Sequence, residues 1–262
     1  MALKMWDAHV HLDFMHNAQE VAREAAEIGL GLFGVTVTPS GYEYAAEMLK
    51  DEPNVRVGVG LHPWWIADGR CDFADAARVS ELVKNTRFVG EIGLDASPKH
   101  VPEGSLEIQA AAFEMICRAC AGSSEPEVPK ILSLHSVQAA DLILDILERT
   151  GCLGSCCCIF HWFTGSGLAL NRAVKAGCMF SVNEMMLNTR RGREYARQLP
   201  AGLLLVETDL PPGEDVMFSA AEIAASLERT LDKLSDIRGT DMHPVVSDNS
   251  LRIFTQLILP VY

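Results

Sequence analysis

The sequence predicts an α/β fold, specifically a (β/α)₈ TIM barrel with an extra C-terminal helix. Short apolar segments alternate with longer amphipathic ones along the whole chain, as parallel strands connected by helices do. The chain has 262 residues, close to the ~250 typical of eight such units. Because no linker, repeat or low-complexity segment interrupts the pattern, we expect one domain over residues 1–262.

The strands are assigned from the short apolar segments, which have the length and composition of buried parallel strands. An open, doubly wound sheet is the alternative, but no GxGxxG motif follows the first strand. In chain order the predicted strands are Lys4–Ala8, Leu32–Thr36, Val55–Gly60, Phe88–Glu91, Lys130–Leu134, Cys156–Phe160, Met179–Val182 and Leu203–Glu207.

The helices are assigned from segments with apolar residues every three to four positions. Those between and after the strands are Ala18–Ile28, Tyr42–Lys50, Phe73–Lys84, Leu106–Cys120, Ala139–Arg149, Gly167–Ala176, Arg191–Gln198 and Ser219–Ser235. The extra helix is predicted from about Ser247 to Leu257, with Ser247 and Asn249 as capping residues at its start.

Net charge and the distribution of apolar residues limit which nucleic-acid or membrane contacts the chain can make. A net charge of −13 disfavours a broad electrostatic hold on nucleic acid, which normally needs a basic face. Two bound divalent cations would, however, place positive charge where a phosphate reacts. No apolar segment approaches the ~20 residues that span a bilayer, and residues 1–7 lack the apolar core of a signal peptide. We expect a cytoplasmic protein with no membrane contact and no obligate protein partner.

The eight cysteines are expected to be reduced. The chain is large for a disulfide scaffold, and neighbouring strand residues such as Cys156 and Cys157 point to opposite faces. We therefore interpret the cysteines as small core residues.

Histidines and carboxylates follow several predicted strands at their C-terminal ends, where TIM barrels carry their active sites. His9 and His11 are two positions apart, so in an extended segment both face one ion. Glu91 has two oxygens that can bridge two ions, and His135 and His161 follow adjacent strands. A lone histidine at a strand end usually packs or hydrogen-bonds, but a whole set of such residues indicates a metal site. The predicted metal ligands are His9, His11, Glu91, His135, His161 and Asp209.

This set predicts hydrolysis. We expect two divalent ions (Zn, Mn or Mg) and a hydroxide bridged between them, which is nucleophilic at neutral pH. Asp209 is expected to orient this nucleophile and accept its proton, and Glu91 to bridge the ions. His62, which follows strand three, is expected to hydrogen-bond the phosphate or the bridging solvent. Asp209, Glu91 and His62 are therefore the candidate catalytic residues.

Candidate substrate contacts lie around the same end. His62 is one. Arg190 and Arg191, with Arg193 nearby, directly follow strand seven and are expected to meet flanking phosphates. Trp162 follows strand six and can stack a base. Packing of this tryptophan, and solvation of the arginines at a helix start, are the alternatives.

The remaining polar residues receive supporting roles. Glu207 is expected to orient a metal ligand, and Asp13 and Asp95 to fix loops. Three histidines are expected to have no matching partners: His16, His100 and His243.

Six ordered segments carry a family resemblance: Asp7–Asp13 (DAHVHLD), Gly60–Pro63 (GLHP), Gly90–Asp95 (GEIGLD), Leu134–Ser136 (LHS), Phe160–Ser166 (FHWFTGS) and Glu207–Pro211 (ETDLP). They closely resemble the TatD-related deoxyribonucleases, which are metal-dependent amidohydrolase-like barrels. Asn249 and Phe254 resemble the family's C-terminal Asn-x-x-x-x-Phe element. The segment Ser136–Gln138 lacks the arginine that usually follows the strand-five histidine.

The resemblance implies one ion at His9, His11, Glu91 and Asp209, and a second at Glu91, His135 and His161. It also implies cleavage of phosphodiester bonds in DNA, often from a 3′ end. Two alternatives stay open: an esterase, amidase or lactonase on the same barrel, because fold does not fix function, and a non-enzymatic metal-binding scaffold.

Overall fold

The computed structural model describes residues 3–214 and 216–255, and it confirms the predicted barrel. Eight parallel strands pair in sequence order, from β1 to β8. The strands are β1 Met5–Val10, β2 Leu30–Val35, β3 Val55–Leu61, β4 Phe88–Asp95, β5 Ile131–Val137, β6 Cys157–His161, β7 Met179–Val182 and β8 Leu204–Val206.

The sheet closes on itself through the chain that follows β8. The amide of Asp209 donates to the carbonyl of His9 at 2.9 Å, and the amide of His11 donates to the carbonyl of Leu210 at 2.8 Å. These bonds join the C-terminal end of β1 to the other end of the strand order. They also bring predicted ligands from the two ends of the chain side by side.

Helices surround the barrel on its outside. They are α1 Ala18–Ile28, α2 Pro39–Met48, α3 Pro63–Ala67, α4 Phe73–Leu82, α5 Leu106–Gly122, α6 Ala140–Thr150, α7 Cys152–Ser155, α8 Gly167–Lys175, α9 Glu184–Asn188, α10 Arg190–Gln198, α11 Ala220–Arg238 and α12 His243–Phe254. The short helices α3, α7 and α9 were not predicted, because one or two turns show no clear periodicity. Among the described residues, no helix combines the length and apolarity that crossing a membrane requires.

Of the strands that outlast their predicted ends, β4 and β5 extend furthest, to Asp95 and Val137. β4 and β5 stay paired from Phe88 with Ile131 to Asp95 with Val137, although His135 interrupts the apolar pattern of β5. Gly93 allows this close pairing. Its φ is +142°, and a Cβ atom there would lie 2.1 Å from the carbonyl oxygen of His135, so a side chain would force the two strands apart.

The extra helix starts earlier than predicted. α12 begins at His243, with Pro244 in its first turn, where proline is well tolerated. The capping roles predicted for Ser247 and Asn249 are therefore wrong. Ser247 instead donates to the carbonyl of Lys4. The predicted end at Leu257 lies outside the described residues.

His243 also has partners, contrary to prediction. Its Nδ1 atom lies 2.8 Å from Asp241 Oδ1, and its Nε2 atom lies 3.2 Å from Glu228 Oε1 on α11. The sequence does not show this because α11 and α12 are brought together only by the fold.

The end of α12 fills the N-terminal opening of the barrel. Phe254 stacks on Trp6 with 5.2 Å between ring centroids and lies equally close to Phe33. Asn249 donates to the carbonyls of Ala201 and Leu204 at 2.8 and 2.9 Å, which ties the helix to the start of β8. Burial of these apolar groups closes this end and leaves the C-terminal ends of the strands for a site.

Candidate metal centre

Glu91 of β4 lies at the centre of a buried polar cluster at the open end. Its Oε2 atom is 3.6 Å from His9 Nε2 and 3.5 Å from His11 Nε2. Asp209 Oδ1 lies at 3.6 and 3.5 Å from the same two nitrogens. Two carboxylate oxygens thus face two imidazole nitrogens, and this is a suitable donor set for one divalent cation.

The other oxygen of Glu91 faces a second set. Its Oε1 atom is 2.8 Å from His135 Nδ1, 3.0 Å from His161 Nε2 and 3.1 Å from His62 Nε2. The rings of His161 and His9 stack with 4.0 Å between centroids, so the two sets adjoin. The structure therefore brings together all six residues predicted as ligands, with Glu91 shared between the sets.

His9 shows why these residues suit a metal. Its Nδ1 atom is 2.7 Å from Ser133 Oγ, and this contact fixes the ring. Its Nε2 atom is buried and has no hydrogen-bond partner among the described residues. A buried polar atom without a partner is costly, and here it faces two carboxylates. A cation between these groups would satisfy all of them.

Glu207 contacts a predicted ligand, as expected from the sequence. Its Oε1 atom is 3.6 Å from His161 Nδ1. The buried Glu207 carboxylate accepts hydrogen bonds from Ser181 and from Asn183 Nδ2. Carboxylates of this kind orient a ligating histidine through its second nitrogen.

His62 has the hydrogen-bonding pattern of a donor. It caps α3, and its Nδ1 atom accepts the amide proton of Trp64 at 3.1 Å. A neutral ring then carries its proton on Nε2, which points at Glu91. Burial is the main reason that the pKa of His62 falls to about 4, so the ring is neutral at pH 7. His62 is thus suited to donate a hydrogen bond beside the predicted ligands.

The two central carboxylates are ionised. Burial opposes the charge of Glu91, but electrostatic interactions with His62 and His161 and hydrogen bonds from His135 and His161 hold its pKa well below the usual range. Burial likewise opposes the charge of Asp209, but the hydrogen bond from His11 and electrostatic interactions with His161, His9 and His11 together outweigh it, so this pKa is also lowered. The cluster therefore offers negative charge to a cation, and binding would displace protons from the histidines.

Asp95 connects the site to the surface, a role that the sequence analysis missed. Its Oδ2 atom accepts from Trp64 Nε1 at 2.7 Å and contacts His100 Nδ1 at 2.9 Å and His135 Nε2 at 3.2 Å. The prediction that His100 has no partners is therefore wrong. The position of Asp95 on the same strand face as Glu91, four residues on, could have indicated this contact.

Asp7 is a second residue that sequence reasoning missed. Its buried carboxylate accepts the amides of His9 at 3.1 Å and Thr208 at 3.0 Å, and the Thr208 hydroxyl at 2.5 Å. Burial raises its pKa to about 7. Asp7 thus joins β1 to the segment that places Asp209, whose φ is +56°. Left-handed backbone is unfavourable for aspartate and needs such support.

The predicted substrate residues lie in different surroundings. Arg191 lines a cleft between the loops that follow β5 and β6. Arg190 and Arg193 line a separate hollow along α10. Trp162 is half-buried against the barrel core and has a φ of +38°. Only Arg191 of the three arginines lines the cleft beside the strand ends.

Comparison with known proteins identifies the family. The profile described as TatD related DNase matches residues 6–255. The chain is 25% identical to the metal-dependent hydrolase YabD of Bacillus subtilis, over 95% of this chain and 98% of that protein. It is 24% identical to human deoxyribonuclease TATDN3, over 96% of this chain and 94% of that protein. The crystal structure of the TatD homologue YJJV of Escherichia coli has the same fold, with a TM-score of 0.77 at 18% identity. The match covers 98% of this chain and 100% of that chain. The chain belongs to the TatD-related DNase family of metal-dependent hydrolases.

Proposed function

We propose that this hydrolase cleaves phosphodiester bonds in DNA with two divalent cations. The central observation is that the two carboxylate oxygens of Glu91 face two different sets of histidines. A shared carboxylate between two cations is typical of sites that stabilise both the attacking and the leaving oxygen of a phosphoryl group. The name of the human relative, a deoxyribonuclease, supports DNA as the substrate.

We assign the ligands by these contacts. The proposed donors to one ion are His9, His11, Glu91 and Asp209, and those to the other are Glu91, His135 and His161. Mixed imidazole and carboxylate donors fit Zn²⁺ and Mn²⁺, and Mg²⁺ is the third candidate. Divalent ions held by these donors would supply Lewis acidity for hydrolysis.

The protein's own groups move the protons. Asp209 is ionised, and its side chain is 23% exposed while Glu91 is 3% exposed. It is therefore the carboxylate best placed to accept a proton from the attacking water. His62 carries its proton on Nε2, beside Glu91, and we propose that it donates this proton in a hydrogen bond to the phosphoryl oxygen. Glu91 contacts both sets of donors and so keeps them side by side.

Substrate binding is proposed for residues at the same end. Arg191 and Arg190, which begin α10, supply positive charge for phosphates that flank the reacting one. Trp162 follows His161 directly and is proposed to stack a base. The chain has a net charge of −13, which repels a polyanion at long range. Local positive contacts of this kind are therefore necessary.

We also propose that residues 1–262 form one domain that works in the cytoplasm. The family profile covers residues 6–255 without interruption, which supports one domain. All eight cysteines are free thiols, which suits a reducing compartment.

The test is a substrate panel measured with each metal. Protein stripped by a chelator is assayed with Mg²⁺, Mn²⁺ or Zn²⁺ on single-stranded DNA, RNA and bis(4-nitrophenyl) phosphate, and in parallel on carboxylic esters, amides and lactones. We expect metal-dependent cleavage of the phosphodiesters. Hydrolysis confined to the esters, amides or lactones would overturn the assignment, and so would full activity in protein verified to be free of metal.

A further inference from the structure

A cleft lies at the same open end of the barrel as the candidate metal centre. Its volume is about 700 Å³, within the ~300–1,000 Å³ of small-molecule sites. Gln138 and Thr164, which line it, stand three residues after His135 and His161 respectively. The cleft therefore lies between the loops that follow two ligand-bearing strands, at the end of the barrel that carries the metal centre.

Arg191 provides the positive charge of the cleft. Its side chain is exposed, and Nη1 donates to the carbonyl of Thr164 at 3.3 Å. Among residues 3–214 and 216–255, Arg191 forms no ion pair, whereas Arg197 on the same helix pairs with Glu194 at 2.6 Å. An unpaired guanidinium offers two parallel donors to a phosphate. Asp141 also lines the cleft, and its charge disfavours a second phosphate.

The rest of the cleft suits a base and its sugar. Gln138 has a φ of +54°, a costly conformation outside glycine, and its exposed amide offers both a donor and an acceptor. Apolar wall atoms come from Leu106, Leu142 and Tyr195. The Tyr195 hydroxyl donates to the carbonyl of Gly165 at 2.7 Å, so this wall is fixed before anything binds.

We propose that the cleft binds the one nucleotide that flanks the scissile phosphodiester. Arg191 holds the phosphate of that nucleotide, Gln138 meets the edge of its base, and the apolar wall packs against the sugar and base. This proposal rests on the proposed function, and it adds a subsite that the reaction on a minimal diester does not need.

The subsite predicts a difference between two substrates. Arg191→Ala and Gln138→Ala are compared on a single-stranded DNA hexamer and on bis(4-nitrophenyl) phosphate, which has no flanking nucleotide. We expect Arg191→Ala to raise KM for the hexamer about tenfold and to reduce the slope of log affinity against log salt by ~0.7. The ratio of kcat/KM for the hexamer to kcat/KM for the small diester should therefore fall about tenfold. Gln138→Ala should raise KM for the hexamer and leave the salt slope unchanged.

Lys175→Ala is the matched control. Lys175 lies in the last turn of α8, at the far end of the barrel from the cleft, and its replacement removes the same charge. We expect parent-like KM and salt slope. If Lys175→Ala matches Arg191→Ala, the effect is general electrostatics and the subsite is wrong.

Binding is also measured without turnover, by fluorescence anisotropy of labelled hexamer on Asp209→Asn protein with and without Arg191→Ala. Equal affinity of the two proteins would overturn the subsite. Failure of the parent protein to hydrolyse either diester would overturn the proposed function instead, so the two failures are separable.

Discussion

At the scale of single residues, Ser133 determines which nitrogen of His9 faces the site. Its hydroxyl lies 2.7 Å from Nδ1, which leaves Nε2 directed at Glu91 and Asp209. We expect Ser133→Ala to weaken metal binding by ~10–100-fold, the usual effect of losing the group that orients a ligating histidine. Titration of metal-stripped protein with a competing chelator measures this affinity.

Ser136 is the control for that experiment. It lies on β5 with Ser133 and is also buried, but its Oγ atom has no hydrogen-bond partner among the described residues. Ser136→Ala should keep the affinity of the parent protein. Equal losses in the two variants would show that the effect comes from packing in β5 and not from His9.

Asp209 is the proposed acceptor of the proton from water. Asp209→Asn keeps the shape of the side chain, but an amide cannot accept that proton. We expect kcat to fall ~10²–10⁴-fold with a much smaller change in KM. Metal content is measured on the same samples, because Asp209 is also a proposed ligand. A variant that retains both its ions and near-parent kcat would remove Asp209 from the role of base.

At the scale of secondary-structure elements, α12 closes the N-terminal end of the barrel. Phe254 is 1% exposed and packs on Trp6 and Phe33. Phe254→Ala should lower the free energy of unfolding by ~3–5 kcal/mol, because it leaves a cavity. Urea unfolding measures the change, with Phe254→Leu as a variant that should lose less. An unfolding free energy unchanged by Phe254→Ala would mean that α12 does not hold the barrel closed.

The contact between α12 and α11 depends on pH. Burial is the largest single effect and lowers the pKa of His243, but the hydrogen bonds to Asp241 and Glu228 and the charges of these two carboxylates together raise this pKa above its usual value. A raised pKa in the folded state means that the protonated ring stabilises the protein. This stability is fully present below the unfolded pKa of about 6.5 and is lost as pH rises through the folded value.

His243→Gln tests this pH dependence. We expect the variant to be less stable than the parent at about pH 5.5 and equal to it at about pH 9, as judged by urea unfolding at each pH. If the difference in unfolding free energy between parent and variant is the same at both pH values, the effect comes from packing and not from charge.

At the scale of the whole molecule, the barrel should not need the metal to fold. The described residues form two clusters of buried apolar side chains, and a chain of this length buries enough apolar surface for stability. Chelation should therefore abolish activity while far-UV circular dichroism stays unchanged. The melting temperature should fall, because ions bind the folded state. Loss of secondary structure on chelation would show that the ions are structural.

The sequence by itself determined the architecture and the membership of the polar cluster. Apolar periodicity is a local property of the chain, so it shows eight strands and the helices between them. Parallel strands in a barrel end on one side, and this rule alone predicts that His9, Glu91 and Asp209 lie together. The short helices and the start of α12 were missed, because there the local pattern is weak or the tertiary contacts override it.

Only the tertiary structure decided how the members of the cluster face one another. Three features join residues far apart in the chain: the two sets of histidines that face Glu91, the contact of His62 Nε2 with Glu91, and the bonds from Asp7 to Thr208. The same holds for the separation of Arg191 from Arg190, which lie side by side in the sequence but line different hollows. Ring orientation and side-chain direction follow from packing between elements, and no periodicity within one element records them.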